Sequence, residues 1–192
     1  MEVFMNKGIK IAVIIIGILI ILGIPVGTYN NLVTLEQSVN SASSNIDTQL
    51  QRRSDLIPNL VNTVKGYASQ EKTIFTDIAN ARSKLAGATN VQEQANADNQ
   101  LSGALSRLLV VVENYPELKS NQNFRDLSIQ LEGTENRISI ARQDYNAAVT
   151  NYNTKRRKFP NNIIASLFNF QEKALYKASE SAKEVPSVDF TK

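Results

Sequence analysis

From Ile11 to Gly27 the chain runs for seventeen residues, IAVIIIGILIILGIPVG, without one charged or hydrogen-bonding side chain. As a helix this run is apolar on every side and extends about 26 Å, the short end of what crosses the hydrocarbon of a bilayer. Lys10 can extend its ammonium to the headgroups at one end, and Tyr29 can lie among them at the other. Residues 11–27 therefore read as a transmembrane helix after a short tail, 1–10, with the lipid bilayer as its partner. A cleaved signal peptide fits less well, because Val26-Gly27-Thr28 is a poor small-x-small cleavage site. A buried core helix would need an enveloping remainder, and the remainder is amphipathic. Lys7 and Lys10 precede the run and the next cation after it is Arg52. The positive-inside rule then makes this a single-pass protein of the cell membrane, its N-terminus cytoplasmic and its following domain extracytoplasmic.

Composition removes most catalytic chemistry. The 192 residues include no Cys and no His, so thiol nucleophiles, imidazole bases and His/Cys zinc sites are excluded. Only Gly66, Gly87, Gly103 and Gly133 follow the apolar run, which leaves no phosphate-cradling glycine loop. A net charge of +3 from 21 basic and 18 acidic residues gives no reason to expect nucleic acid. No cofactor or metal is expected, and no calcium-loop spacing occurs. Serine with lysine, or carboxylate pairs such as Asp47 with Asp55, are what remain for catalysis. No serine sits on a glycine-flanked elbow, so the chain is not expected to be an enzyme.

Apolar periodicity predicts an all-α protein. Leu32, Leu35, Val39, Ala42, Ile46 and Leu50 recur at three- and four-residue steps, and Ile57, Leu60, Val64, Tyr67, Ile74, Ile78 and Leu85 carry the stripe onward. That is one long helix, or two. Pro58 lacks an amide donor and its ring opposes the Ser54 carbonyl, so a kink is expected there. Ala86-Gly87-Ala88-Thr89-Asn90 reads as a stop and a new cap, and a second helix carries Leu101, Leu105, Leu108 and Val112 as far as Tyr115-Pro116. Phe124, Leu127, Leu131, Thr134, Ile138, Ala141, Tyr145, Ala148 and Tyr152 form the cleanest stripe. A break at Pro160 precedes Ile163, Ile164, Leu167 and Phe168, and residues 172–184 read as a helical continuation to Pro186. The fold expected is an up-and-down antiparallel bundle of about four helices over 28–184, with a tail over 185–192.

Two polar clusters interrupt these stripes. Arg52, Arg53, Asp55 and Asn59 surround Pro58, and Glu132, Glu135, Asn136 and Arg137 form a counterpart on the third stripe. They make either a polar groove that binds a partner, or an interhelical network, Arg53 with Glu135 for example, that satisfies itself and fixes helix register. Lys155, Arg156, Arg157 and Lys158 end the third helix. Four cations there suit anionic lipid headgroups, and equally suit a helix C-terminus in water.

The stretch YNNLVTLEQSVNSASSNIDTQLQRRSDLIPNLVNTVKGYA, Tyr29 to Ala68, resembles the opening of the LemA family of bacterial single-pass membrane proteins. Leu101–Phe124, Leu131–Asn153, FPNNIIASLF from Phe159 and VPSVDF from Val185 are similar too, in the same order. Ser43-Ser44 stands where the family often has Trp, and Gln70-Glu71 where a His-Glu pair is common, so no metal or acid–base role can rest on that position here. The resemblance implies a helical bundle on an N-terminal anchor. It also implies a complex with another membrane protein, a membrane metalloprotease being one candidate. The function expected is a scaffold or binding protein that docks a membrane or envelope partner, with self-association open. A sensory bundle answering a small ligand or envelope stress is the alternative, and a serine/lysine or carboxylate hydrolase comes third.

Overall fold

The computed structural model describes residues 7–177, without the side chains of residues 7, 9, 10 and 13–24. Among the described residues every regular element is a helix: α1 (Lys7–Lys65), α2 (Lys72–Ala86), α3 (Val91–Val112), α4 (Pro116–Ser120), α5 (Gln122–Arg157) and α6 (Asn161–Leu167). The expected membrane span falls mostly on side chains outside the described residues. Among those described, no helix is long and apolar enough to cross a membrane.

Three sequence expectations need correction. The first long stripe, read as one long helix or two with a kink at Pro58, is two helices divided at Gly66–Glu71, and α1 runs without a break through Pro58. A proline inside a helix costs about 3 kcal/mol. Ile57 and Leu60 beside it are almost wholly buried, each stabilising by roughly 1.5–3 kcal/mol, which is enough to hold the helix together. The division comes where Tyr67 and Ala68 both donate to the Val64 carbonyl and Ala68 is drawn into the core.

The second correction is at the other end. Residues 168–177 do not continue the helix: Asn169 adopts a left-handed φ of 56°. Phe170 N–H then reaches the Ala165 carbonyl at 2.9 Å and Asn169 N–H the Ser166 carbonyl at 3.4 Å. This is a Schellman closure with asparagine in the usual glycine place, and residues 170–177 leave it without helical structure. The rest of the expected continuation, 178–184, and the tail 185–192 lie outside the described residues. Third, the third stripe turns inward at Val149 rather than Ala148. Where about four helices were expected, the described residues form six, two of them short.

Two compact units make up the described chain. One comprises its residues up to Ser41 with Ala148–Lys173, and buries Leu32, Val39, Val149, Tyr152, Ile164 and Phe170. The other comprises Ala42–Ala147 with the described residues from Ala174 on. Its core joins Ile57, Leu60 and Val64 of α1 to Phe75 and Ile78 of α2, Leu101 and Leu108 of α3, Leu118 of α4 and Phe124 of α5. The cap expected before α3 is present: Asn90 Oδ1 accepts from Glu93 N–H at 2.9 Å. The Glu93 carboxylate in return accepts from the Thr89 amide at 2.9 Å and its hydroxyl at 2.8 Å. These bonds favour the charged carboxylate and hold its pKa below the ordinary value.

Candidate functional site

Within the larger unit, the stripe residues of α1, α3 and α5 include three charges. Arg53 follows Ile46 and Leu50 at helical spacing, Asp98 falls between Ala95 and Leu101, and Arg142 lies four residues after Ile138. Each is therefore carried toward the interior by the same periodicity that buries its apolar neighbours. Asp98 is fully buried and Arg53 is 4% exposed.

Asp98 is the centre. Its Oδ1 accepts from Arg53 Nη1 at 3.0 Å, and its Oδ2 accepts from Arg142 Nη2 and, at 3.2 Å, from the Tyr176 hydroxyl. Arg53 Nη1 also donates to Ser102 Oγ at 3.0 Å. Both its hydrogens are then in use, so Glu135 Oε2, 2.8 Å away, is held by charge and not by an aligned bond. The Arg142 guanidinium lies 5.0 Å from the centre of the Tyr176 ring, a cation–π contact in a desolvated place. Two cations and two anions cancel. Burial lowers the Arg53 pKa, opposed by the charge of Glu135. Burial raises that of Tyr176, opposed by Arg142 and Arg53. A carboxylate that takes three donors and has no exposure to solvent is not presented to a substrate.

Tyr176 is delivered by its backbone. Asn146 Nδ2 donates to the Tyr176 carbonyl at 3.0 Å and its Oδ1 accepts from the Tyr176 amide at 2.8 Å. One carboxamide thereby replaces a strand partner for an otherwise unpaired residue. In the other unit Asn153 does the same for Lys173, at 2.8 and 3.1 Å.

Next to the network is a groove of about 410 Å³, walled by Leu60 of α1, Leu105 and Leu109 of α3 and Leu131 of α5. Arg53, Ser102 and Ser128 line its polar side, and Glu132 and Glu135 give it an acidic edge. Arg53 Nε and Ser128 Oγ are both buried without a hydrogen-bond partner. Leu109 is 48% exposed. A larger cleft of about 750 Å³ beside α2 and α3 is polar; its charged side chains are paired, Arg107 with Asp77 at 2.9 Å and Lys84 with Gln100 at 3.0 Å, and Asn99 Nδ2 is buried there without a partner.

Of the residues named from sequence, Arg53 and Glu135 meet, and Glu132 borders the same groove. Arg52, Asp55, Asn59, Asn136 and Arg137 are exposed, and Asp55 is occupied by Gln51 at 2.8 Å. Arg156 is tied to the Phe170 carbonyl at 2.7 Å and, more loosely, to Glu172 at 3.8 Å, whereas Lys155, Arg157 and Lys158 are exposed. Sequence reading missed Asp98, Ser102, Arg142 and Tyr176. The available signal was a carboxylate on the buried stripe of α3. Among the described residues no cluster of His, Cys, Asp or Glu has the makings of a metal site.

Comparison with known proteins accords with this helical architecture. Over 186 residues the chain is 28% identical to Magnetosome protein MamQ 2 of Paramagnetospirillum magneticum, covering 83% of this chain and 68% of that protein. It is 26% identical to Magnetosome protein MamQ of Magnetospirillum gryphiswaldense, covering 74% and 62%. It is 27% identical to Protein LemA of Metamycoplasma hominis, covering 81% and 71%. None of these names denotes an enzyme. The model of the LemA family matches residues 42–190, a stretch that includes the whole Asp98 network and the groove beside it. The chain belongs to the LemA family.

Proposed function

We propose that the chain is a membrane-anchored helical binding protein that docks another membrane or envelope protein at the α1–α3–α5 groove, without catalysis. The observation that carries this reading is the groove itself: leucine walls, a half-exposed Leu109 and buried unpartnered Arg53 Nε and Ser128 Oγ. Glu132 and Glu135 at its edge suit a partner that inserts an apolar side chain flanked by a lysine or arginine. The Asp98 network supports the reading by holding the groove's three helices in one register. The magnetosome relatives are named for a cellular structure and not for a reaction. The anchor is residues 11–27, with the N-terminus cytoplasmic and the domain extracytoplasmic; a membrane metalloprotease is one partner of suitable location.

The test is a photo-crosslinking residue at Ser106 in the full-length chain in cells. A discrete stoichiometric adduct that disappears when Leu109→Asp puts a charge in the groove is expected. No adduct, or one indifferent to Leu109→Asp, overturns the reading. Paired reporters fused after Lys192 test the orientation, and activity of the cytoplasmic reporter alone would reverse it.

A further inference from the structure

In the smaller unit, the turn between α5 and α6 is unusually greasy for a surface. Phe159 is 81% exposed, Ile163 55%, Leu167 72% and Phe168 54%. Ile163 and Leu167 are one helical turn apart on α6, opposite Ile164 and Ala165, which face the core. Scattered exposed apolar side chains need no explanation, but four within ten residues form a patch. Lys155, Arg157 and Lys158 stand exposed beside it, and among the described residues none of the three makes an ion pair. No acidic residue occurs between Asp144 and Glu172.

The patch is also located. Tyr29, two residues beyond the apolar run that ends at Gly27, packs its ring 4.8 Å from that of Phe168 and 5.7 Å from that of Phe170. Lys173 is paired with Glu36 of α1 at 2.6 Å. Whatever surface Tyr29 meets on leaving the membrane, the α5–α6 turn meets too.

We propose that this turn and the outer face of α6 form a second membrane-contacting surface that lies on an anionic bilayer. Phe159, Ile163, Leu167 and Phe168 enter the headgroup–acyl boundary, and Lys155, Arg157 and Lys158 face lipid phosphates. The chemistry is that of an interfacial helix, an apolar face with cations at its border. Exposed apolar area alone would fit another protein equally well. The unbroken positive flank and the contact with Tyr29 favour lipid. The location argument rests on residues 11–27 being the membrane anchor; the patch and its charges do not.

The chain has no cysteine, so single cysteines can carry an environment-sensitive fluorophore without interference. Full-length variants Leu167→Cys, Ile18→Cys and Val110→Cys are labelled and reconstituted with vesicles containing a spin-labelled lipid, with and without phosphatidylglycerol. Val110, exposed on α3 in the other unit, is the aqueous control. Quenching at position 167 at least twofold above that at 110 is expected in anionic vesicles. Lys155→Gln/Arg157→Gln/Lys158→Gln should bring it down to the level found with neutral lipid. Position 18 reads the anchor separately. Deep quenching at 18 with none at 167 overturns this inference alone. No quenching at 18 with quenching at 167 removes the anchor and leaves the surface standing. Emission at 167 that follows protein concentration and not lipid would give the patch to a second copy of the chain and overturn the proposal.

Discussion

Arg53 Nη1 of α1 lies 3.0 Å from Asp98 Oδ1 of α3, with the Asp98 side chain wholly withdrawn from solvent. An isolated charge in such a place is strongly disfavoured, and a buried pair is tolerable only when its remaining hydrogen-bonding capacity is used. Asp98 meets that condition through Arg142 and Tyr176; Arg53 meets it in part, through Ser102 and the charge of Glu135, and keeps a buried Nε without a partner. Replacing a buried charge network by apolar residues of the same volume is often neutral or stabilising, so net stability is a poor reason for it. Its effect is on register, because a one-turn slip of any of the three helices strands a charge.

Asp98→Ala leaves the buried Arg53 and the partly exposed Arg142 without their shared carboxylate and should cost about 3–5 kcal/mol. Arg53→Met leaves Asp98 still bound by Arg142 and Tyr176 and should cost less, about 1–3 kcal/mol. Urea unfolding followed by circular dichroism gives both values. The reverse order would remove Asp98 from the centre of the network.

Asn146→Ala deprives Tyr176 of both backbone partners. Amide exchange at Tyr176 should accelerate by about tenfold or more, the effect of losing roughly 1.4 kcal/mol. Lys173, held by Asn153 in the other unit, should keep its protection. Unchanged exchange at Tyr176 would mean that the segment is held by its side chains alone.

Hydrogen bonds from Thr89 and Asn90 lower the Glu93 pKa in the folded state. A depressed carboxylate contributes stability that is complete above its unfolded pKa and is lost as pH falls through the folded one. Carboxyl titration by NMR should place the Glu93 midpoint below 4.5. Glu93→Gln should remove that part of the acid sensitivity, and a midpoint at or above the ordinary value would show that the capping bonds do not form.

Pro58 sits inside a continuous helix. Pro58→Ala restores an amide toward the Ser54 carbonyl and should stabilise the chain by up to about 3 kcal/mol, with helicity unchanged or slightly higher. A destabilised variant would show that the proline ring itself is needed for packing.

Much of the helical organisation was legible in the sequence, and the errors have definite causes. The α3 boundaries followed from Asn90 and Pro116, since caps act locally. The division of the first stripe at Gly66–Glu71 went unseen because the apolar spacing runs on across it and Gly66 carried no special spacing, whereas the burial of Ile57 and Leu60 carries α1 through Pro58. The expected helix is absent over residues 172–177 because helix-forming composition after Glu172 says nothing of Asn169 closing α6 with a left-handed turn. At the site, Arg53 and Glu135 were visible as charges facing each other on two stripes. Asp98 was overlooked because a single aspartate among alanines and asparagines looks like an ordinary exposed helix residue until its spacing is counted.

By itself the sequence determined what is local or compositional: an uninterrupted apolar run, helical stripes, caps, and the exclusion of thiol and imidazole chemistry. Each follows from side-chain identity and from a periodicity that covalent geometry imposes. Tertiary structure alone decided that Asp98 gathers Arg53, Arg142 and Tyr176 from positions 45, 44 and 78 residues away along the chain. It also decided that Asn146 holds a backbone 30 residues distant. No local propensity encodes such meetings. They arise because burying the stripes of several helices at once leaves their few charges with only one another as partners.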